Sequence, residues 1–150
     1  MTLRERLDQD MKDALKARED GRLRLSVVRL VRSAVRNAEI DQRGGLDDAG
    51  VIAIVRKEIK QREEVLPDYE RAGRADDIAR LRDEVAILEG YLPTQASDEE
   101  IARAVDEAAA EAGANGSPAM GPVMKGALAR LAGRADGGRV RAAVEARLRG

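Results

Sequence analysis

The sequence predicts an all-α protein, and three features support this fold class. The 150 residues include no Phe, Trp or Cys, and the only aromatic side chains are Tyr69 and Tyr91. The cores of β-sandwiches and barrels usually depend on aromatic and β-branched side chains. Ala, Leu, Arg and Glu dominate instead, and these residues favour helices. Apolar residues also recur at helical spacing from the start of the chain.

The amino-terminal part begins with two predicted amphipathic helices. The apolar stripe of the first begins at Leu3, and this helix is expected to end near Gly21. The second runs from Arg22 to about Arg43, where Gly44-Gly45 interrupts it. Both segments have the helical period of apolar residues that indicates one buried face.

Two further helices complete a long-helix amino-terminal domain, assigned to residues 1–93. Asp47 or Asp48 is expected to cap the third helix. Pro67 predicts a kink or a stop in that helix, because an interior proline lacks an N–H donor and clashes with the preceding turn. The fourth helix is predicted over residues 75–92 and ends at the next proline.

Residues 94–150 predict a small domain of three short helices. Ser97 and Glu100 form a capping box at the start of the fifth helix. Ser117-Pro118 places a cap and a first-turn proline in the preferred order for the sixth helix, a start that Pro122 can delay by a turn. A glycine-rich turn then precedes the last helix.

The residue types argue against an independent active site. Without His or Cys, the chain lacks the commonest general base, the commonest metal ligand and the best nucleophile. It has neither of the glycine-rich motifs that bind nucleotide phosphates. Acidic pairs such as Glu63-Glu64 are typical of solvated helix surfaces. We therefore expect no catalytic residue, no metal site and no cofactor, and interpret the chain as a binding module.

Charge and hydropathy indicate a cytoplasmic protein without a membrane partner. The longest apolar run is too short to cross a bilayer, and the alternating charges at the start of the chain are unlike a signal peptide. The 27 basic and 28 acidic side chains give a formal charge of −1. This balance argues against non-specific coating of nucleic acid, although it is compatible with a local basic surface.

The second predicted helix carries one of two candidate binding surfaces, which we call the arginine stripe. Its arginines are spaced by seven, three, four and seven residues, which places them along one side of the helix. The stripe is either a contact for phosphate or an acidic partner, or a solvated face partly neutralised by Glu39 and Asp41. Its members are Arg22, Arg29, Arg32, Arg36 and Arg43.

The second candidate surface, which we call the tail set, lies in the last third of the chain. Residues 97–116 contain six acids and Arg103, a net charge of −5, whereas residues 117–150 have a net charge of +5. The basic region either holds several phosphates or is neutralised by the acidic helix. Because no aromatic side chain is present for base stacking, nucleic acid would be bound through its backbone. The tail set consists of Lys125, Arg130, Arg134, Arg139 and Arg141.

Several segments resemble a known family over nearly the whole chain. Residues 25–30, 60–64, 69–74 and 84–95, the last including Leu-Glu-Gly-Tyr-Leu-Pro, are similar to the YqeY family. Pro67 and Ala96 depart from the family pattern, where a helix former and a larger apolar residue are expected.

The last third resembles a domain that this family shares with a larger enzyme. Met-Gly-Pro-Val-Met-Lys at 120–125 and Gly-Arg-Ala-Asp-Gly at 133–137 are similar to the tail domain of the B subunit of tRNA-dependent amidotransferases. The resemblance implies a long helical hairpin domain followed by a helical tail bundle. It also implies the activity commonly assigned to the family, a carbon–nitrogen ligase with glutamine as amide donor. That activity belongs to the amidotransferase, and the chain has nothing resembling the catalytic cradle of its B subunit.

The leading functional hypothesis is therefore a non-catalytic accessory module that associates with tRNA or another RNA through the tail set. One alternative is a helical protein–protein adaptor whose arginine stripe docks an acidic or helical partner. Another is an accessory subunit of a glutamine-dependent carbon–nitrogen ligase, whose glutaminase and ATP sites lie in a partner.

Overall fold

The computed structural model describes residues 1–113 and 118–149, and within these ranges the chain is helical with no β-strand. The all-α prediction is therefore confirmed. The chain divides into two compact units, Met1–Leu92 and Pro93–Gly150, each with its own apolar core. The α-helices are α1 (Leu3–Lys16), α2 (Arg22–Gln42), α3 (Asp48–Arg71), α4 (Ala75–Glu89), α5 (Asp98–Ala112), α6 (Met120–Leu131) and α7 (Gly137–Arg149).

A tight corner sets α1 against α2 in the first unit. The chain leaves α1 at Lys16 and makes a single 3-10 turn, Arg18–Gly21, before α2 begins. A Cβ atom on Gly21 would lie 2.2 Å from the carbonyl oxygen of Ala14, so only glycine permits this approach. Helix α2 then packs against α1, α3 and α4. It is the central element of this unit.

The core of the first unit is rich in valine. Valines of α2 and α3 pack with Leu7 of α1 and with Leu88 and Tyr91 at the end of α4. All of these side chains are buried, and the ring of Tyr91 is the largest. Burial of so much apolar surface, at about 25 cal/mol per Å², is the main stabilising contribution to the unit.

Helix α3 begins as predicted but passes the proline at which a stop was expected. Asp47 caps it, its side chain accepting a hydrogen bond from the amide of Gly50 at 2.9 Å. Of the kink or stop expected at Pro67, the stop is wrong, because α3 continues to Arg71. Pro67 and Glu63, whose carbonyl group loses its usual donor to the proline, are both exposed. Water can therefore satisfy that carbonyl group and the helix continues.

The second unit contains α5, α6 and α7, and each of these helices contacts the other two. The predicted capping box of Ser97 and Glu100 is present. Small residues fill the core, and a Cβ atom on Gly126 of α6 would lie 3.0 Å from the Cβ atom of Ala108 on α5. Glycine and alanine thus let these two helices approach closely.

Helix α6 begins later than its cap-and-proline signal suggests. Its first residue is Met120, and Ala119 precedes it without a side-chain cap. Pro118 is therefore outside the helix, and Ser117 lies outside the described residues. Pro122 occupies the first turn, where a missing N–H costs nothing because that position has no helical acceptor.

Candidate functional site

Helices α1 and α2 border a charged groove of about 470 Å³ in the first unit. The groove brings together three members of the arginine stripe with charged residues of both helices. Four arginines face two carboxylates, an excess of two positive charges. These residues are Arg4, Asp8, Arg29, Arg32, Arg36 and Glu39.

The two carboxylates of the groove are already engaged by arginines. Asp8 accepts a hydrogen bond from Nε of Arg32 at 2.8 Å. Glu39 forms an ion pair with Arg4 at 2.9 Å, and its second oxygen accepts a hydrogen bond from the amide of Leu46 at 2.9 Å. Glu39 is only 13% exposed, so it is fixed in place between α1 and the turn that leads to α3.

The remaining two arginines of the groove have no partner among the described residues. Within residues 1–113 and 118–149, no hydrogen bond, ion pair or ring contact engages the side chain of Arg29 or Arg36, and both residues are exposed. Arg32 is only partly satisfied, because its Nη1 atom donates to the sulfur of Met11 at 2.9 Å, and a thioether is a weak acceptor. The groove thus presents unused guanidinium donors, which suit bidentate recognition of phosphate or carboxylate.

The outer members of the arginine stripe do not line this groove. Arg22 forms an exposed ion pair with Glu19 at 3.2 Å. Arg43 follows the last residue of α2 in the left-handed conformation, with φ 56°, and its amide donates to Ile40 as the helix ends. Only the central part of the arginine stripe therefore lines the groove.

Two arginines of the tail set hold the segment that leads into α5. Arg134 donates to the carbonyl oxygen of Thr94 at 3.0 Å and pairs with Glu100 at 2.7 Å. Arg139 donates to the carbonyl oxygen of Ala96 at 3.0 Å. A hydrogen bond with Ser97 and then the contact with Arg134 hold the pKa of Glu100 below its usual value. These arginines have structural partners.

The other three members of the tail set are exposed. Arg130 pairs with two carboxylates of α5, those of Glu107 and Glu111. Arg141 pairs with Glu145 of its own helix at 3.2 Å. Lys125 is exposed and forms no ion pair within the described part of the chain. The acids of α5 therefore neutralise part of the tail set, as one of the two interpretations of the sequence expected.

The only tyrosine buried in the core forms a separate polar contact. The hydroxyl group of Tyr91 donates to Asp10 of α1, and the guanidinium group of Arg6 lies 4.6 Å from the centre of the ring. Burial, followed by the hydrogen bond to Asp10, raises the pKa of Tyr91 well above its usual value of 10.0. This phenol stays protonated and joins the end of α4 to α1. Its role is structural.

The sequence analysis missed the α1 side of the groove. Arg4, Asp8 and Met11 are four and three residues apart, so they follow one face of a helix. Met11 belongs to the apolar stripe of α1, and the spacing of Arg4 and Asp8 beside that stripe was the available signal. Among the described residues, no group of three acidic, histidine or cysteine side chains is arranged to hold a metal ion.

These features define a two-unit helical protein with an arginine-lined groove in its first unit. The sequence model of the Yqey-like protein family matches residues 4–148. The chain therefore belongs to the YqeY family.

Two yeast proteins are similar to part of the chain. Both are named Altered inheritance of mitochondria protein 41, mitochondrial. The Kluyveromyces lactis protein is 33% identical over 103 residues, which cover 66% of this chain and 55% of the relative. The Lachancea thermotolerans protein is 32% identical over 87 residues, covering 57% of this chain and 46% of the relative. The chain thus spans about half the length of each relative.

None of the described helices combines the length and the apolar character needed to cross a bilayer.

Proposed function

We propose that this protein is a non-catalytic accessory module that associates with RNA, with tRNA the class implied by its tail resemblance. The observation that carries the proposal is the charge of α6 and α7, which contain six basic residues and one acid, Glu145. Basic side chains on short helices can neutralise several backbone phosphates. We also propose a cytoplasmic location. The alternative is a mitochondrial location, which the names of the two yeast relatives give for those proteins.

The ion pairs of the tail set refine the proposed contact. Arg134 and Arg139 hold backbone carbonyl groups, so they serve the fold. Exposed ion pairs contribute only about 0–1 kcal/mol, so phosphates can compete for Arg130 and Arg141. Lys125 forms no ion pair with any described residue, so it has no carboxylate there to release. The contact is therefore assigned to Lys125, Arg130 and Arg141.

A salt series with the full chain tests this proposal. Titration of tRNA with the protein should give saturable binding whose affinity falls steeply with salt. The double variant Lys125→Gln/Arg141→Gln should reduce the slope of log affinity against log salt by about two, since each lost phosphate contact reduces it by about one. The matched control Lys60→Gln/Arg103→Gln removes the same charges from exposed positions. Equal slopes for both variants would contradict the proposal.

A protein adaptor is the second candidate, and exposed apolar side chains on α2 favour it. Leu30 is 43% exposed and Ile40 is 64% exposed, and Ile40 lies beside Arg36 in a recess that adjoins the groove. Arginine next to an apolar side chain suits an acidic amphipathic helix. Affinity purification with and without nuclease distinguishes the candidates, because an adaptor retains a stoichiometric protein partner after nuclease treatment. Ile40→Ser should then release that partner.

A further inference from the structure

We propose that the groove between α1 and α2 is a binding site for a short row of phosphate groups, with Arg29, Arg32 and Arg36 as its contacts. This site lies in the first unit and uses none of the tail set, so it is separate from the RNA contact proposed above. The unpaired arginines, the spacing of their donors and the space beside the groove each support the inference.

The first argument is the contrast between paired and unpaired arginines. Elsewhere in this unit, Arg62, Arg74 and Arg80 each form an ion pair within 3.0 Å, whereas Arg24, which does not line the groove, forms none with a described residue. Arg29 and Arg36 form none with any described residue, although they lie beside a groove that contains two carboxylates. Those carboxylates are held by Arg32 and Arg4 instead. The groove thus contains two unpaired arginines, Arg29 and Arg36, while both of its carboxylates are already paired.

The second argument is the geometry of the donors. Arg29, Arg32 and Arg36 lie three and four residues apart on one helix, so the outer two are separated by about 10 Å along its axis. Guanidinium groups on long side chains can converge from that separation onto adjacent anionic groups, each through a bidentate contact. A single small anion would use one of them, whereas a row of phosphates uses all three. Arg32 can turn its Nη1 donor from the weak thioether acceptor of Met11 to a phosphate oxygen.

The third argument is the space available for the rest of the ligand. A recess of about 370 Å³ adjoins the groove and shares Arg4, Arg36 and Glu39 with it. It continues past Ile40 to Gly44 and Gly45, at the end of α2. A phosphate row can therefore carry a larger attached group. That row belongs either to a soluble oligophosphate or to an RNA backbone.

Calorimetric titration of the full chain distinguishes these sources. The probes are sodium tripolyphosphate, sodium orthophosphate and tRNA. We expect tripolyphosphate to bind more tightly than orthophosphate. The variant Arg29→Gln/Arg36→Gln should weaken tripolyphosphate binding by about a hundredfold, because it removes two charge-assisted contacts. Both side chains are exposed and unpaired in the described structure, so the variant should fold, which far-UV circular dichroism checks.

A control variant with the same charge change isolates the site. Arg24→Gln/Lys57→Gln removes two exposed positive charges of the same unit that do not line the groove. Its tripolyphosphate affinity should stay within about threefold of the unmodified protein, since only screened long-range charge is lost.

Each outcome has a defined meaning. Loss of tripolyphosphate binding in the groove variant, with tRNA affinity unchanged, supports a soluble oligophosphate as the ligand. If tripolyphosphate does not bind, but tRNA affinity falls in the groove variant and not in the control, the phosphate row belongs to RNA. The proposal is overturned if the groove variant and the control behave alike with both probes. The tail variant Lys125→Gln/Arg141→Gln separately decides the proposed function.

Discussion

Replacing Tyr91 by phenylalanine removes the hydroxyl group that joins the end of α4 to α1 while keeping the ring in the core. The lost interaction is a hydrogen bond to the Asp10 carboxylate, and bonds to charged groups contribute about 1.5–3 kcal/mol. Asp10 is 24% exposed, so water replaces part of the interaction. Phenylalanine also preserves the contact with the Arg6 guanidinium group. We therefore expect a loss of about 1–2 kcal/mol.

The two tyrosines provide both the assay and the control. Because both lie in the first unit and the chain has no tryptophan, tyrosine emission during urea unfolding reports on this unit alone. For a unit of this size the expected loss lowers the melting temperature by about 5–15 °C. Tyr69→Phe makes the same chemical change where the hydroxyl group has no hydrogen-bond partner in the described structure, so it should be nearly neutral. Equal losses in the two variants, or none for Tyr91→Phe, would refute the reasoning.

Three further predictions follow from local geometry. The difference in absorbance at 295 nm between the unmodified protein and Tyr91→Phe should show no tyrosinate formation at pH 10, because folding raises the pKa of Tyr91. The contribution of the Tyr91 hydroxyl group to stability is complete below pH 10 and is lost as the phenol ionises at higher pH. Gly21→Ala should cost more than about 2 kcal/mol in urea unfolding because its Cβ atom would contact the Ala14 carbonyl group, whereas Gly121→Ala, with open space around it, should stabilise α6 by up to about 1 kcal/mol. Ser97→Ala should lower the free energy of unfolding of the second unit by about 1 kcal/mol, because the helix cap is lost. Unfolding followed by far-UV circular dichroism measures this change, and an unchanged unfolding midpoint would contradict the prediction.

Features that depend on local sequence were predictable. The Asp47 cap and the capping box of Ser97 and Glu100 involve residues three apart, so their side chains reach amides of their own helix. The continuation of α3 past Pro67 was not predictable, because the cost of a helix proline depends on whether the deprived carbonyl group is exposed. Helix α6 likewise starts at Met120 without a side-chain cap, and so does not follow the cap-and-proline signal of the sequence.

The candidate site was predictable in part, for a related reason. Spacing alone placed Arg29, Arg32 and Arg36 on one side of α2. It did not show that Arg32 is held by Asp8 and that its two neighbours are unpaired, since this depends on how α1 crosses α2. For the tail set, the sequence showed that the acids of residues 97–116 balance the bases of residues 117–150. The hydrogen bonds of Arg134 and Arg139 to backbone carbonyl groups required the folded structure.

The short segment before α5 determines where the chain can be cut. Ala96 is buried, its amide donates to the carbonyl oxygen of Arg134 at 2.6 Å, and its own carbonyl oxygen accepts from Arg139. A fragment starting at Ser97 would lose this buried side chain and three hydrogen-bonding backbone groups, which are the amide and carbonyl groups of Ala96 and the carbonyl group of Thr94. A fragment that keeps these contacts must therefore include Thr94, and the second unit begins at Pro93. Loss of RNA binding by a shorter fragment would not distinguish damaged folding from a lost RNA contact, and the same holds for charge reversal at Arg134.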